Sequence, residues 1–414
     1  MSTDLNLNQI DPKKVLKNCW GEGVASVRGE HAVNQALFEY GPQRIDRLLA
    51  VGKAASSMCQ GAIDFISSNA QCLVITKYGH TDQQIVEDQR FQIMESAHPV
   101  PDLNSMKAGI LAMNYVESIL PSQTFLMLVS GGASSLLEVL SEGLGLEFLK
   151  TLTDAMLANG LDINQINSVR TRISLIKGGK LLALCKSKSA HVLLISDVPH
   201  DDTAVIGSGI GCTSPSQLIE SEIPVEIEEL LADAGMGMRK NQLIPAVSNF
   251  SSKVIASNSI ARNICEQFAN KRGLPVVMNE ELLHGAIDEV VNRISKIILS
   301  GPSGVYIFGG EPTVVLPENP GRGGRMQHFA LSVAKSIRGR SDIHLIAAGT
   351  DGTDGPTNAA GGMVDGSTYE RDSGADAALV AADAGRYLER VGGLFLSGPT
   401  GTNVMDIVIV LKSC

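Results

Sequence analysis

One repeated pattern constrains the fold most: a short apolar run, a polar or glycine-containing turn, and then a stretch with helix-forming composition. It occurs in RIDRLLAVGKAASSMCQ, TFLMLVSGGASSLLEVL and KVIASNSIARNICEQF. An uninterrupted apolar run of this length is typical of a strand buried on both faces, and such strands are common in parallel sheets. The sequence therefore predicts an α/β fold, with mainly parallel sheets flanked by helices.

The length of the chain predicts more than one domain. Its 414 residues are more than a single hydrophobic core usually accommodates. We predict a Rossmann-like N-terminal α/β domain over residues 1–245 and a second α/β domain over residues 246–414. The border is placed near Pro245, after a segment with few structural signals.

Composition excludes several classes of protein. The net charge of −10 and the 4% aromatic content argue against nucleic-acid binding, which usually needs a basic face and stacking side chains. Seven cysteines without CxxC spacing argue against a disulfide framework or a zinc site. No apolar run reaches the ~18 residues of a membrane span, and the first residues lack the apolar segment of a signal peptide. We therefore expect a cytoplasmic protein.

Two turns in the first half carry candidate anion-binding groups. Lys53 stands at the start of a predicted helix, where the helix dipole already favours an anion. In the second turn, the backbone N–H groups of Gly131, Gly132 and Ala133 would point at an anion, and Ser130 would add a hydroxyl. The alternatives are a solvated lysine and a purely structural turn.

Three more candidates of the first half are a guanidinium, a carboxylate and an imidazole. Arg170 shares a basic stretch with Arg172 and Lys177, for which a solvated basic face and an anion pocket fit equally well. Asp197 lies just past an apolar run, where carboxylates commonly hold Mg²⁺ or orient a hydroxyl. His98 in HPVPD is interpreted as a hydrogen-bonded loop histidine, with binding or catalysis as the alternative.

The second half supplies charged residues of both signs. Arg322 and Arg325 lie among the glycines of GRGGR, and a guanidinium can bind two anionic oxygens at once. Asp351 and Asp354 follow the apolar run IHLIAAG at its carboxyl end, where open α/β sheets bind ligands. Glu311 follows the preceding predicted strand. Together the two loops indicate phosphate chemistry with Mg²⁺, and ordinary surface loops are the alternative.

Ten short motifs follow one another across nearly the whole chain: VGKAASSM, KYGH, HPVPD, VSGGASSLL, INSVR–S–IKGG, SDVP–DD, GGEPTVVL, GRGGR, GTDGTDGPTNAAGG and GPTGTNVMDIVIVL. In this order they resemble the glycerate 2-kinase family, whose C-terminal half is the MOFRL domain. The resemblance implies two α/β domains, the second of MOFRL type, with the active site in the cleft between them. It also implies that ATP and Mg²⁺ serve to phosphorylate the 2-hydroxyl of D-glycerate, which gives 2-phosphoglycerate. A homodimer is compatible with it.

The motifs depart from the family pattern at positions that bear on activity. The family usually has GRGGRNQE where this chain has GRGGRMQH, so Met326 and His328 replace an amide and a carboxylate. Asn358 replaces an aspartate in GTDGTDGPTDAAG. If the replaced carboxylate holds a metal or a substrate hydroxyl, these changes predict weaker activity or a different substrate.

Within the kinase interpretation, Lys53, Asp197 and Arg325 are the predicted catalytic residues. Lys53 would contact the transferring phosphoryl group, and Arg325 would neutralise anionic oxygens. Asp197 would orient or deprotonate the attacking hydroxyl, or bind Mg²⁺, for which Asp351 is the other predicted ligand. The residues predicted to bind substrate or phosphate are Ser130, Gly131, Gly132, Ala133, Arg170, Arg322, Glu311 and Asp354.

Two alternative functions follow from the same residues. Members of the family have often been labelled hydroxypyruvate reductases, which would use NAD(P)H. The absence of a strand–GxGxxG–helix unit from the sequence argues against that activity. The other alternative is a divergent kinase, or a binding protein without catalysis, for another small hydroxy acid.

Overall fold

The computed structural model describes residues 11–40, 44–213, 223–236 and 250–413, and these form two compact units. The central unit spans Gly29–Ile255. The split unit combines the described residues up to Arg28 with those from Ala256 onward. The border predicted at residues 245/246 lies outside the described residues. Residues 11–28 group with the C-terminal part of the chain. The two units therefore cannot be separated by cutting the chain at one position, as the predicted border would do.

The elements of the described chain run in the following order. The helices are α1 (Pro12–Ser26), α2 (Gly29–Tyr40), α3 (Ala55–Ala62), α4 (Gln83–Glu87), α5 (Leu103–Glu117), α6 (Ala133–Leu136), α7 (Leu146–Ala158), α8 (Ile163–Ile173), α9 (Lys180–Ala183), α10 (Val225–Asp233), α11 (Asn258–Lys271), α12 (Ile287–Ser300), α13 (Arg325–Ser336), α14 (Ala375–Val380) and α15 (Ala384–Arg390). The strands are β1 (Ile45–Val51), β2 (Ile66–Lys77), β3 (Phe91–Ser96), β4 (Thr124–Val129), β5 (Ser189–Ile195), β6 (Phe250–Ala256), β7 (Val276–Glu280), β8 (Gly285–Ala286), β9 (Gly304–Gly310), β10 (Pro312–Thr313), β11 (Ile343–Gly349), β12 (Gly361–Asp365), β13 (Leu394–Phe395) and β14 (Asp406–Lys412).

The central unit is built on a six-stranded sheet in the order β3-β2-β1-β4-β5-β6. Strands β1 to β5 pair in parallel, as expected for apolar runs that are buried on both faces. Val51 pairs with both Ile75 and Val129, so the carboxyl ends of β2, β1 and β4 lie side by side. The strand order changes direction between β1 and β4, and open α/β sheets bind ligands beside such a point.

Apolar side chains from the sheet and its flanking helices form the core of the central unit. One cluster joins β1, β2 and β4 to α5 and the segment after β4, and includes the fully buried Leu49, Phe125 and Met127. A second cluster joins α7, α8 and α10 through residues such as Leu152 and Leu231. The α/β class with helices flanking a mainly parallel sheet is confirmed.

The split unit contains a second six-stranded sheet, in the order β13-β12-β11-β14-β9-β7. Here β7 and β9 are parallel, whereas β14 runs antiparallel to both neighbours, β9 and β11. Strands β11, β12 and β13 also pair antiparallel. This sheet is therefore mainly antiparallel, and β14 lies between two strands, β9 and β11, that precede it in the chain.

Both faces of the second sheet are covered. Residues Tyr306, Phe308, Val408 and Val410 belong to a core cluster with α12 and α13. The alternate residues of the same strands are also buried and point to the opposite face, where α1 and α11 pack. Helix α1 is thereby part of the core of the split unit. Among the described helices, none is long and apolar enough to cross a membrane.

Candidate functional site

The turn after β4 is tied by hydrogen bonds to the turn after β1. The backbone N–H of Lys53 donates to the carbonyl oxygen of Gly131 over 2.9 Å. The backbone N–H of Ala54 donates to Oγ of Ser130 over 3.1 Å. Gly132 has a φ of 86°, a left-handed conformation that favours glycine and lets α6 begin directly after the turn. The two predicted anion-binding turns therefore form one surface.

Three side chains from other segments converge on the Gly131–Gly132 turn. A Cβ atom added to Gly131 would lie 1.9 Å from Oδ2 of Asp197. A Cβ atom added to Gly132 would lie 2.9 Å from Cδ2 of His98 and 3.3 Å from Cε of Lys53. Only glycine leaves room for such approaches. We call these residues the turn cluster: residues 130–133 with Lys53, His98 and Asp197.

His98 belongs to this cluster, although the sequence favoured an ordinary loop histidine. Burial, together with the nearby positive charges of Lys53 and Lys77, lowers the pKa of His98 to about 4. The imidazole is therefore neutral at neutral pH, and one ring nitrogen can accept a hydrogen bond. The signal available in the sequence was its position two residues beyond the end of β3.

The three cations of α8 and the following loop differ in whether they form ion pairs. Arg172 donates to Glu228 over 2.6 and 3.0 Å. Lys177 is fully buried and forms an ion pair with the buried Glu138. Among the described residues, Arg170 is in no ion pair. The sequence left a solvated face and an anion pocket open, and the burial of Lys177 and of much of Arg170 excludes a solvated face.

The segment that carries Arg170 meets the turn cluster at Ser134. Nη1 of Arg170 lies 3.5 Å from Oγ of Ser134, which follows Ala133 directly. Burial lowers the pKa of Arg170, while the charge of Glu138 opposes that effect. Lys53, Arg170, Asp197 and the glycine turn were all predicted to be site residues. The structure places them in one region of the central unit.

In the split unit, Arg325 is the first residue of α13 and contacts two carboxylates. Its Nε donates to Oδ2 of Asp406 over 2.6 Å, and its Nη2 donates to Oδ1 over 3.1 Å. Its Nη1 donates to Oε1 of Glu311. Burial raises the pKa of Asp406 to about 7 against the opposing effect of Arg325. Although burial opposes it, the charge of Asp406 holds the pKa of Arg325 above its ordinary value.

Asp351 approaches the same group. A Cβ atom added to Gly349 would lie 3.3 Å from Oδ1 of Asp406 and 3.4 Å from Oδ1 of Asp351. Asp351 also accepts a hydrogen bond of 3.0 Å from the backbone N–H of Thr353. We call Glu311, Arg325, Asp351 and Asp406 the Arg325 cluster. Asp406 was not among the predicted site residues; a carboxylate at the head of the apolar run DIVIVL was the signal that could have found it.

Two predicted binding residues of this region make other contacts. Asp354 is 4% exposed, and its carboxylate accepts hydrogen bonds from the backbone N–H groups of Met326 and Gln327 over 3.1 and 2.8 Å. Those contacts satisfy the first turn of α13, which begins at Arg325, and the predicted contact of Asp354 with substrate stays a prediction. The guanidinium of Arg322 donates to Glu389 over 3.1 Å at the surface. No described contact joins Arg322 to the Arg325 cluster.

The family departures at α13 fall on its buried side. Met326 is fully buried in the core of the split unit, so an apolar side chain suits that position. His328 is partly buried, and burial lowers its pKa while Asp288 opposes that effect. Its Nδ1 has no hydrogen-bond partner among the described residues. Asn358 is exposed.

The two predicted magnesium ligands lie in different units, Asp197 in the central unit and Asp351 in the split unit. Within the described residues, no group of three or more His, Cys, Asp or Glu side chains could hold a metal ion. Mg²⁺ in kinases is usually held by one or two carboxylates together with substrate phosphates. Asp197, which overlies the Gly131 backbone, fits that manner of binding.

Two family models match successive parts of the chain. The family model described as a domain of unknown function, DUF4147, matches residues 6–225. The MOFRL family model matches residues 304–406.

Relatives of known name extend over most of the chain. A glycerate 2-kinase from Pyrococcus horikoshii is 35% identical over 392 residues, which cover 88% of this chain and 86% of that protein. An Agrobacterium vitis protein named as a hydroxypyruvate reductase is 32% identical and covers 98% of this chain and 95% of its own. The crystal structure of a glycerate kinase from Thermotoga maritima is 32% identical, with a TM-score of 0.84, and covers 97% of this chain and 99% of that chain.

Proposed function

We propose a function from one premise: the chain belongs to the family that combines a DUF4147 domain with a MOFRL domain and includes the glycerate 2-kinases. The chain is a glycerate 2-kinase, which transfers the γ-phosphoryl group of ATP to the 2-hydroxyl of D-glycerate and releases 2-phosphoglycerate and ADP. The observation that carries the proposal is the convergence of Lys53 and Asp197 on the Gly131–Gly132 turn. Phosphoryl transfer needs a cation, a carboxylate and a backbone segment that a phosphate can approach closely.

Each group of the turn cluster has a role in this reaction. The ammonium of Lys53 neutralises charge on the phosphoryl oxygens as the bond to the leaving oxygen of ADP lengthens. The carboxylate of Asp197 accepts a hydrogen bond from the 2-hydroxyl and takes its proton as the new O–P bond forms. The backbone of Ser130, Gly131, Gly132 and Ala133 leaves room for the substrate, and its N–H groups are potential donors to anionic oxygens.

Magnesium is proposed as a further component. Asp197 is the described residue of the turn cluster that would contact it as an alternative to accepting the proton, and Asp351 is the candidate in the split unit. When bound, Mg²⁺ would neutralise charge on the phosphate oxygens.

Arg325 is proposed to bind an anionic oxygen of substrate or nucleotide. Asp406 and Glu311 fix its guanidinium, so its direction is set before a ligand arrives. The position of the active site in a cleft between the domains, the homodimer and the cytoplasmic location stay predictions.

The decisive experiment is an assay with ATP, Mg²⁺ and D-glycerate, in which ³¹P NMR distinguishes 2-phosphoglycerate from 3-phosphoglycerate. Formation of the 2-isomer supports the proposal, and formation of the 3-isomer contradicts it. NADH oxidation with hydroxypyruvate is measured in parallel, because the Agrobacterium vitis relative carries that name. Phosphorylation of another 2-hydroxy acid in preference to D-glycerate would identify a divergent kinase.

A further inference from the structure

Arg170 is a cation that the described structure leaves without a counter-ion. Its neighbours Arg172 and Lys177 are each paired with a carboxylate, Glu228 and Glu138. A partly buried guanidinium without an anion is unfavourable, because burial removes the water that would stabilise its charge. Arg170 is thus the cation of this stretch that forms no ion pair within the described chain, and it contacts Ser134 beside the turn cluster.

We propose that Arg170 is the specificity residue that binds the carboxylate of the hydroxy-acid substrate, an inference that rests on the proposed kinase function. It assigns two different anions to the two cations of the central unit. Lys53 takes the phosphoryl group, and Arg170 takes the carboxylate on the carbon next to the reacting hydroxyl. The activity is thereby restricted to substrates with an acid group beside the hydroxyl.

A chain of hydrogen bonds fixes the orientation of Arg170. Oγ of Ser208 donates to Oδ1 of Asn167 over 2.7 Å, which uses the only hydroxyl hydrogen of Ser208. Oγ of Ser134 lies 2.8 Å from Oγ of Ser208 and must therefore be the donor in that pair. The lone pairs of Ser134 remain for Nη1 of Arg170.

The network leaves the rest of the guanidinium for a planar anion. Among the described residues, Nη1 is the nitrogen of Arg170 that makes a hydrogen bond, so Nε and Nη2 stay available. Two parallel N–H groups match the two oxygens of a carboxylate. The backbone of Ser208 supports the network from a left-handed conformation, with a φ of 56°, which is uncommon for a residue with a side chain.

The position of Arg170 relative to the glycine turn favours the carboxylate over the γ-phosphoryl group. Ser134 lies two residues beyond Gly132, over which Lys53 passes. In a 2-hydroxy acid the carboxylate and the hydroxyl are on adjacent carbons. We therefore expect a substrate whose hydroxyl faces Asp197 and Lys53 to direct its carboxylate toward Arg170, which contacts the same segment at Ser134.

The test compares wild type with Arg170→Met and Arg170→Lys, and uses Arg172→Met as the matched control on the same helix. Binding of D-glycerate and of its neutral amide is measured by calorimetry, and kinase kinetics are measured with both. Arg170→Met is expected to weaken D-glycerate binding by about 10- to 100-fold, to leave the KM for ATP unchanged, and to reduce the preference for the acid over the amide. Arg170→Lys restores part of the affinity.

The outcomes separate this inference from the kinase proposal. A rise in the KM for ATP instead of D-glycerate in Arg170→Met, or an equal loss in Arg172→Met, overturns the assignment of Arg170. If wild type binds D-glycerate through Arg170 but phosphorylates none of the hydroxy acids tested, the kinase proposal fails and the carboxylate site stands. If wild type binds D-glycerate no better than the amide, the carboxylate site is wrong whether or not turnover is seen.

Discussion

The two units place cations near their proposed ligands in opposite ways. In the central unit, Lys53 and Arg170 are in no ion pair within the described chain, and their charges are available. In the split unit, Arg325 is held between Asp406 and Glu311. An unpaired cation can bind an anion with its whole charge, whereas a cation that is held between carboxylates is rigidly placed but partly neutralised.

The two clusters are therefore suited to different roles in the reaction. A cation that stabilises negative charge developing in the transition state should form no ion pair with a carboxylate of the protein. Such a carboxylate would compete with the transition state for the cation. A group that orients a ligand gains from being held rigidly. We therefore expect substitutions in the turn cluster to lower turnover, and those in the Arg325 cluster to lower stability and affinity.

The largest expected effect is on Lys53. Lys53→Met should reduce kcat with D-glycerate by about 10³-fold, because the charge on the transferring phosphoryl group loses its cation. The melting temperature should stay near that of wild type. Lys150→Met is the control, since Lys150 pairs with Glu147 on the surface of the same unit. Full turnover in the Lys53 variant would remove the contrast between the two units.

A glycine substitution tests the geometry of the turn. Gly131→Ala should reduce kcat by roughly 10²-fold. The new methyl would lie 1.9 Å from Oδ2 of Asp197, and this clash would displace the proposed proton acceptor. Gly145→Ala, where an added Cβ atom meets nothing within 4 Å, is the matched control. Unchanged kinetics in Gly131→Ala would show that the carboxylate of Asp197 is not needed in its present place.

In the split unit, Asp406→Asn should act mainly on stability. The amide cannot accept both hydrogen bonds from Arg325, and the loss is expected to be about 2 kcal/mol of unfolding free energy. Urea denaturation measures it, and Lys335→Met, which removes the surface pair with Asp376, serves as the control. A large loss of kcat at unchanged stability would contradict the proposed division of work.

The smallest expected effect concerns the pH dependence contributed by His98. Its pKa falls from the ordinary 6.5 to about 4 in the folded chain, so below pH 6.5 the unfolded chain binds more protons. This lowers the stability of wild type as pH falls from 6.5 to 4, by about 1 kcal/mol at pH 5.5. His98→Gln should be less sensitive over that window in urea denaturation, while the exposed His31→Gln should follow wild type.

Much of the central unit could be predicted from the sequence. Apolar runs followed by glycine turns specify parallel strands, and the carboxyl ends of neighbouring strands meet at one edge. That rule places Lys53, Asp197 and the Gly131–Gly132 turn near each other before any coordinates are known. The same rule could not predict that His98 lies beside this turn, because a residue two positions past a strand can point toward the sheet edge or away from it.

The split unit was harder to predict for a physical reason. An apolar run has no direction, so DIVIVL could not be placed antiparallel between two earlier strands. Without that placement, Asp406 is only a charged residue beside a strand. The hydrogen bonds between Asp354 and the first turn of α13 could not be predicted either, because the two are 28 residues apart in the sequence.

The position of β14 has a consequence for biosynthesis. This strand follows the other strands of its sheet in the chain, yet it lies between β9 and β11, so the sheet stays in two pieces until it emerges from the ribosome. Helix α1 is synthesised much earlier, and its apolar side stays uncovered until α11 and β14 have been synthesised. The central unit can fold during that interval. A nascent chain stalled before β14 would expose apolar surface and offer chaperones a target that the finished protein hides.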